Sequence, residues 1–491
     1  MIMVKNPLEK VKFFDDPGKA VAFFALLIAG FYTLQCTLLQ NVLGLDVLET
    51  ITWGAQGVWG HAKHPPLSGW LGYSISKLSG HHDCGMYLAA QLCLAGGVWF
   101  VYRTARLFLD PCRAGTAALL LYFLFYYNPS ETKFCTYPLE MLLVPGMVYC
   151  FFHAVQSQKW SSWCGFGLFA GLGILNKYSC GLFLIALTVI FFSSREYRKS
   201  LKTIGPYLAG FIGLAIIAPH LEWLYFHDFI CFKHVNSRLT DAHKWYQPLV
   251  TAATALYPYA MIALVLTVAG LPDFKKRPRT AGNRQIFRNM MILSVIPAAA
   301  LTALSICGQG VIMMWFCSMA AFVGIAAVAI FPREIDTAFF KRIVLMLLIF
   351  CIVMFTATTI SLLTSSGPRL HSKPENFTVP ATEFYRKHGN GGEIPVVVGS
   401  RYYACLLENY LPHRPPACEV GDPEALRLHR RTIETRGALL IGKPDEFKPF
   451  FEAMNIDPAT VKFEKVEYRY SSLWGKKRKR AYYLAIWQPA E

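Results

Sequence analysis

Residues 343–365 read IVLMLLIFCIVMFTATTISLLTS, a run of 23 residues without one charged side chain. Wound as an α-helix, such a run is about 35 Å long. That is enough to cross a hydrocarbon layer about 30 Å thick. The backbone polar groups of such a segment are satisfied within the helix, so a membrane interior is a solvent it tolerates.

Working outward from this run, further apolar stretches fall near 20–40, 85–108, 114–127, 138–157, 163–175, 180–193, 205–226, 250–271, 291–307 and 311–331. The chain of 491 residues is 54% hydrophobic and only 16% charged, whereas soluble domains carry about 25% charged residues. The expectation is a polytopic α-helical membrane protein of about eleven transmembrane helices.

The net charge of +17 does not point to nucleic acid. Its basic residues gather in alternate short connections: Arg103, Arg106 and Arg113; Arg195, Arg198, Lys199 and Lys202; Lys275, Lys276, Arg277, Arg279, Arg284 and Arg288; then Arg333, Lys341 and Arg342. Cationic loops stay on the cytoplasmic side, so the tail 1–19 is expected inside, as an uncleaved signal anchor with the first span. The membrane domain is expected over 20–365, and everything after it outside. The 14 cysteines lie mostly within apolar runs and show no CxxC spacing. They read as small hydrophobes, although Cys405 and Cys418 are placed so that they could pair.

From 366 to 491 the pattern changes. "EIPVVVGSRYYACLLENYL" reads as a buried strand, a turn and an amphipathic helix; "RGALLIGKP" as a strand, "PDEFKPFFEAM" as a helix and "RAYYLAIWQ" as a last strand. Alternation of this kind predicts a small α/β domain. Its "GKKRKR" run at 475–480 reads as a solvated hairpin turn or as a contact for anionic headgroups.

The first outer loop, 41–84, carries the densest chemistry. Asp46 and Glu49 stand three apart, so a helix presents both on one face. Trp53 and Trp59 suit a headgroup layer, and the loop reads as interfacial helix. In Lys63-His64-Pro65-Pro66 the prolines hold the backbone extended, presenting the Lys and His rigidly. Other outer connections add Lys133, Lys177, Tyr178, His220, Lys233, His234 and Arg238. If these converge, an acid pair meets a cationic cradle suited to a phosphate-bearing lipid. Two acids three apart are, on their own, more often a solvated face, and an interfacial Lys more often snorkels. His81-His82-Asp83-Cys84 has no partner at metal-ligand spacing.

The order D-x-x-E, W-G, G-x-x-K-H-P-P-L and W-L, followed by N-K-Y-S and then A-P-H-L-E-W-L, resembles bacterial protein-mannosyltransferase-like enzymes. These are polytopic glycosyltransferases of the GT-C fold class, relatives of the lipid A aminoarabinose transferase. The resemblance covers most of residues 15–240. It implies inverting transfer of a sugar from a polyprenyl-phosphate carrier to a lipid such as lipid A or lipopolysaccharide, or to another envelope acceptor, at the periplasmic face of a bacterial inner membrane. The family's first loop carries adjacent Asp and Glu. Here Glu49 aligns with the Glu, Leu48 stands in place of the Asp, and Asp46 lies two residues earlier. His64 matches a family Lys that contacts the carrier phosphate, and Lys63 is the substitute.

On this reading Asp46 and Glu49 are the catalytic acids, and Lys63, His64, Lys177 and Arg238 receive the donor phosphate. Trp53, Tyr178, His220 and Lys133 line the substrates. The scheme requires no cofactor and no metal, since placed cations can stabilise the leaving phosphate. A transporter or flippase of polyprenyl-linked sugars, and a non-catalytic lipid-binding relative, are the competing classes.

Overall fold

The computed structural model describes residues 7–8, 10–128, 132–237, 245–273, 281–308, 310–364, 367, 371–389, 392–471 and 474–489. Arg238 therefore lies outside the described residues.

The membrane half begins with α1 (Pro17–Leu39), α2 (Leu45–Gln56), α3 (Leu67–Leu78), α4 (Asp83–Arg106), α5 (Pro111–Leu119), α6 (Thr136–Ser157), α7 (Trp160–Asn176) and α8 (Cys180–Ser193). It continues with α9 (Arg195–Arg198), α10 (Gly205–Phe226), α11 (Ile230–Ser237), α12 (Gln247–Ala269), α13 (Ala281–Ile306), α14 (Val323–Ile330) and α15 (Thr337–Thr364). Local chemistry sets several starts. Asp16 Oδ1 accepts from the amides of Gly18 at 2.9 Å and Lys19 at 3.2 Å, with Pro17 opening α1. Asp110 and Pro111 do the same for α5. Both are N-cap aspartates followed by the proline that a first helical turn tolerates.

Among the described residues, eight helices are long and apolar enough to cross a membrane, or up to nine if Cys180–Ser193 and Arg195–Lys202, bent by 95°, form one broken span. That is fewer than the sequence runs suggest, and the difference lies in the short ones. The run 114–127 folds as α5 followed by 3-10 turns, with Ala114 and Ala117 through Leu121 at 0% exposure. It is apolar because protein surrounds it, as short apolar runs commonly are. The run 163–175 becomes the 17-residue α7. Gly167 lets α7 close on α10, since a Cβ there would stand 2.4 Å from the Ala209 carbonyl oxygen.

Arg113, whose guanidinium donates to the carbonyls of Val328 and Arg333, lies at the same end as the Lys341–Asp15 ion pair of 2.7 Å. Arg113, Lys341 and Asp15, just ahead of α1, thus share one end of the bundle. At the other end lie α2, α3 and the C-terminal unit.

That unit contains α16 (Glu375–His388), β1 (Val397–Gly399), α17 (Arg401–Tyr410), β2 (Ala417–Glu419), α18 (Pro423–Arg436), β3 (Ala438–Gly442), α19 (Lys448–Met454), β4 (Glu464–Tyr470) and β5 (Arg478–Trp487). The sheet order is β2-β1-β3-β5-β4. β1 pairs parallel with both β2 and β3, while β5 runs antiparallel to β3 and β4. The strands and helices read from "VVVGSRYYACLL", "ALLIG", "KPFFEAM" and "RAYYLAIW" are all present. The three-residue β2 and the charged β4 were missed, one too short and the other too polar for an apolar pattern. Cys405 and Cys418 are buried free thiols.

The first outer loop is not free linker. α2 and α3 cross where Gly54 meets Gly69, and a Cβ on Gly54 would lie 2.0 Å from the Gly69 carbonyl oxygen. That contact fixes the tilt of the helix carrying Asp46 and Glu49. Gly54→Ala is expected to force the helices apart and to cost about 1–3 kcal/mol by overpacking. A lowered thermal midpoint of the detergent-solubilised protein, followed by size-exclusion recovery, checks this; an unchanged midpoint contradicts the crossing.

Candidate active site at the junction of the two halves

The helical phase of α2 places Asp46, Glu49, Thr50 and Trp53 along one flank, where they line a cavity of about 260 Å³ with Lys63, His64, Tyr137, Trp315 and Arg401. Glu49 is only 3% exposed. Its carboxylate is held from two directions. The Lys63 ammonium donates to Oε1 at 2.5 Å, and the Arg401 guanidinium donates through Nε to Oε1 at 2.5 Å and through Nη2 to Oε2. Arg401 Nη2 also reaches Asp46 Oδ1 at 3.4 Å, and Lys63 reaches Glu419 Oε2 at 3.4 Å. The result is a ladder of alternating charge: Asp46, Arg401, Glu49, Lys63, Glu419.

Arg401 and Glu419 come from the C-terminal unit. Each stands at the carboxyl end of a parallel strand, Arg401 two residues past β1 and Glu419 closing β2. In open α/β sheets this is the edge where ligand chemistry collects. Burial alone would weaken the hold of Arg401 on its proton, but the bonds it donates to Glu49 more than reverse this and leave the guanidinium above its ordinary pKa. Burial pushes the Glu419 carboxyl up, and Lys63 opposes it.

α17 lies along α2 and brings Arg401 into place. Thr52 donates to Glu408 Oε2, and Asn409 Nδ2 donates to the Leu48 carbonyl at 3.4 Å. The Tyr410 hydroxyl donates to Asp83 Oδ2 at 2.7 Å and accepts from the Leu43 amide at 2.9 Å. Positions 401, 408 and 409 share one face of a helix. Asp83, from the His81–Cys84 run, thus serves the docking of α17.

A second cavity of about 330 Å³ adjoins the first and shares Asp46, Cys135, Tyr137 and Met314 with it. Leu94, Phe125, Tyr126, Met141 and Met313 make it apolar, while Gln91 and Lys133 add polar groups. Asp46, its side chain 43% exposed, faces both spaces.

The remaining sequence-expected residues are distributed as follows. Lys177 is buried in an ion pair of 2.9 Å with Glu140, over the ring of Tyr137 at 4.3 Å. The Ser179 hydroxyl donates to the other oxygen of Glu140 at 2.7 Å. Lys177 therefore stands behind the cavity wall, with Tyr137 as the part of that wall it supports. The Tyr178 hydroxyl and His220 Nε2 are 2.7 Å apart, and His220 Nδ1 is 2.6 Å from the Trp59 carbonyl. With Cys231 donating to the His61 carbonyl at 2.9 Å, these groups hold the backbone of the Trp59–His61 turn and do not line either cavity. Trp53, expected at the headgroups, is instead 5% exposed and stacks on His61 at 5.2 Å. Burial, with His220 nearby, pushes the His61 imidazole down to about 3, so it is a neutral plate beneath Trp53.

Sequence reasoning overlooked Arg401, Glu419, Glu140 and Tyr137. A signal existed for Arg401: it opens a helix immediately after the apolar strand VVVG, the ligand edge of a parallel sheet.

The comparisons with known proteins bear on the fold that carries this site. The family described as dolichyl-phosphate-mannose-protein mannosyltransferase matches residues 63–223. ArnT from Cupriavidus metallidurans bound to undecaprenyl phosphate aligns over 95% of this chain and 97% of its own, with a TM-score of 0.61 at 15% identity. The apo form of that protein gives 0.57 over 95% and 98%, again at 15% identity. The fold is of GT-C type. The lipopolysaccharide core galacturonosyltransferase RgtA of Rhizobium johnstonii is 22% identical over 283 residues. That alignment spans 55% of this chain and 57% of RgtA, little more than half of the relative's length.

Two outcomes test the junction. Arg401→Ala leaves the buried Glu49 with Lys63 alone, at an expected cost of about 3 kcal/mol. Hydrogen exchange should then quicken in α2 and α17 together. Arg401→Lys should not restore protection, because an ammonium lacks the two-pronged fit. The second outcome concerns Glu408, whose burial pushes its carboxyl up to about 7 against the bond from Thr52. A raised carboxylic pKa means the folded state holds the proton longer. Stability is therefore greatest below about pH 4.5 for this group and falls as pH rises through 7, by on the order of 3 kcal/mol. Glu408→Gln should flatten that part of the stability-versus-pH curve; an unchanged slope between pH 5 and 8 contradicts the assignment.

Proposed function

We propose that this chain is an inverting membrane glycosyltransferase. It moves a sugar from a polyprenyl-phosphate carrier to a lipid or glycan acceptor of the bacterial envelope, with lipopolysaccharide as the favoured acceptor class. One observation carries the reading: a charged cavity built on Asp46, Glu49, Lys63 and Arg401 adjoins an apolar cavity beside the spanning helices, with Asp46, Cys135, Tyr137 and Met314 lining both. A ligand with a charged head and a long apolar tail fits such a pair, and a sugar phosphate on an isoprenoid is one. The likeness to an ArnT bound to undecaprenyl phosphate and to a lipopolysaccharide core galacturonosyltransferase supports the same donor and acceptor classes.

The chemistry follows from the charges. An acceptor hydroxyl attacks the anomeric carbon, the bond from that carbon to the phosphate oxygen breaks, and the electron pair leaves with the phosphate. Lys63, Arg401 and His64 on one side and Lys133 on the other stabilise that leaving charge where water is scarce. The acceptor proton goes to a carboxylate. Asp46 suits this role better than Glu49, because it is the more accessible and faces both cavities, whereas Glu49 is engaged by two cations. Glu49 instead holds Lys63 and Arg401 in position. Arg113 and Lys341 at the opposite end of the bundle support a cytoplasmic N-terminus and a periplasmic site in the inner membrane.

Mass spectrometry of envelope lipids and glycans, with and without the gene, tests the reading. A constant sugar-mass increment that needs the intact gene is expected. Asp46→Asn should reduce turnover about 10²–10⁴-fold while donor binding persists, and Lys63→Ala should weaken both donor binding and turnover. Unchanged products with a polyprenyl-linked sugar accumulating on one leaflet would replace the transferase with a flippase.

A further inference from the structure

We infer that the β4–β5 ribbon is a binding surface for the headgroups of anionic phospholipids, in the leaflet that meets the outer end of α15. The inference stands apart from the transferase reading.

The register of the sheet creates the surface. β3 pairs only with Tyr483–Trp487 of β5, while Arg478–Tyr482 pair with β4 alone. The ribbon therefore projects past the sheet as a two-stranded arm. It carries Arg469, Lys476, Lys477, Arg478, Lys479 and Arg480, all exposed, and no acidic residue occurs between Tyr468 and Ala490. Among the described residues, no ion pair holds any of the six. Arg469 and Lys479 stand directly opposite each other across the strands, a like-charge pairing, and the one acid beside them in the arm, Glu467, is already bonded to Lys465 while it feels the Lys479 charge.

Position decides what kind of anion. The Trp474 amide donates to the Leu363 carbonyl at 2.9 Å, in the last turn of α15. That helix is lipid-facing, with Ile349 at 56%, Ile352 at 67% and Val353 at 57% exposure. The arm thus meets the membrane at headgroup depth, where an exposed Trp is at home. Trp474 is 65% exposed. The base of the arm is held rigidly on α16: Phe377 meets Tyr468 at 4.9 Å and Tyr482 at 5.5 Å, and the Tyr482 hydroxyl donates to the Asn376 carbonyl at 2.8 Å. No residue of the arm lines either cavity of the candidate site. That favours the phosphates of the surrounding bilayer over those of a substrate. A dense cationic cluster directly beyond the end of a spanning helix is the arrangement that anionic headgroups attract.

The test uses the full-length protein in nanodiscs with equal phosphatidylglycerol and phosphatidylcholine, released for native mass spectrometry. The wild-type protein should retain phosphatidylglycerol preferentially, less so at high salt. K476Q/K477Q/K479Q should lower that preference at least about ten-fold, and K476R/K477R/K479R should keep it, separating lost charge from lost folding. Equal retention by the wild type and the Gln triple overturns the inference. So does a wild-type arm that ignores phosphatidylglycerol and retains only added lipid A, which would make it an acceptor site.

Discussion

A carboxylate at 3% exposure needs hydrogen-bonding cations in place of the water it has lost. Glu49 meets that condition by drawing one cation from its own loop and another from the C-terminal unit. Much else follows from this requirement. The Pro65-Pro66 step holds Lys63 where its ammonium can reach. The Gly54–Gly69 crossing tilts α2 so that Glu49 faces inward. The α17 face bearing Glu408 and Asn409 settles on α2 and delivers Arg401. A buried ion pair gives little net stability once its desolvation is counted, but losing one partner is costly. The ladder therefore specifies how the two halves meet more than how strongly they hold.

The same ladder divides labour between two acids that look equivalent in sequence. Glu49 is consumed in organising cations, and Asp46, one helical turn away, remains accessible at the boundary of two cavities. Lys177 illustrates the complementary case. Its charge is absorbed by Glu140, and what it gives the site is a braced Tyr137, itself hydrogen-bonded by Trp315 at 3.2 Å. Tyr178 and His220 act at a further remove, on the carbonyl of the turn that carries Trp59. Polar residues near a membrane surface are expensive and therefore informative, yet only some of them touch the space where a ligand fits.

The membrane architecture was legible because the bilayer imposes a length and a polarity that a linear pattern records directly. Runs of apolar residues became helices such as α1, α4, α12 and α15. The runs at α5 and α7 gave helices shorter than an ordinary lone span, α5 because protein surrounds it on all sides and α7 with 17 residues. The Asp46–Glu49 spacing and the Lys63–Pro66 segment were legible for a related reason: neighbours in sequence three apart on a helix, or held by proline, have a local geometry.

By itself, then, the sequence determined a many-helix membrane protein, an outer loop with two acids on one helical face, a rigid Lys-His presentation and an α/β unit at the end. Which charges meet is a matter of how distant segments pack together. Glu49 and Arg401 are separated by 352 positions, and no periodicity or propensity connects them. Their pairing depends on strand order, on α17 lying against α2 and on the exclusion of water from the junction. Electrostatics acts across space at the dielectric of that junction, so the partners of a buried charge become known only once the chain has been folded around it.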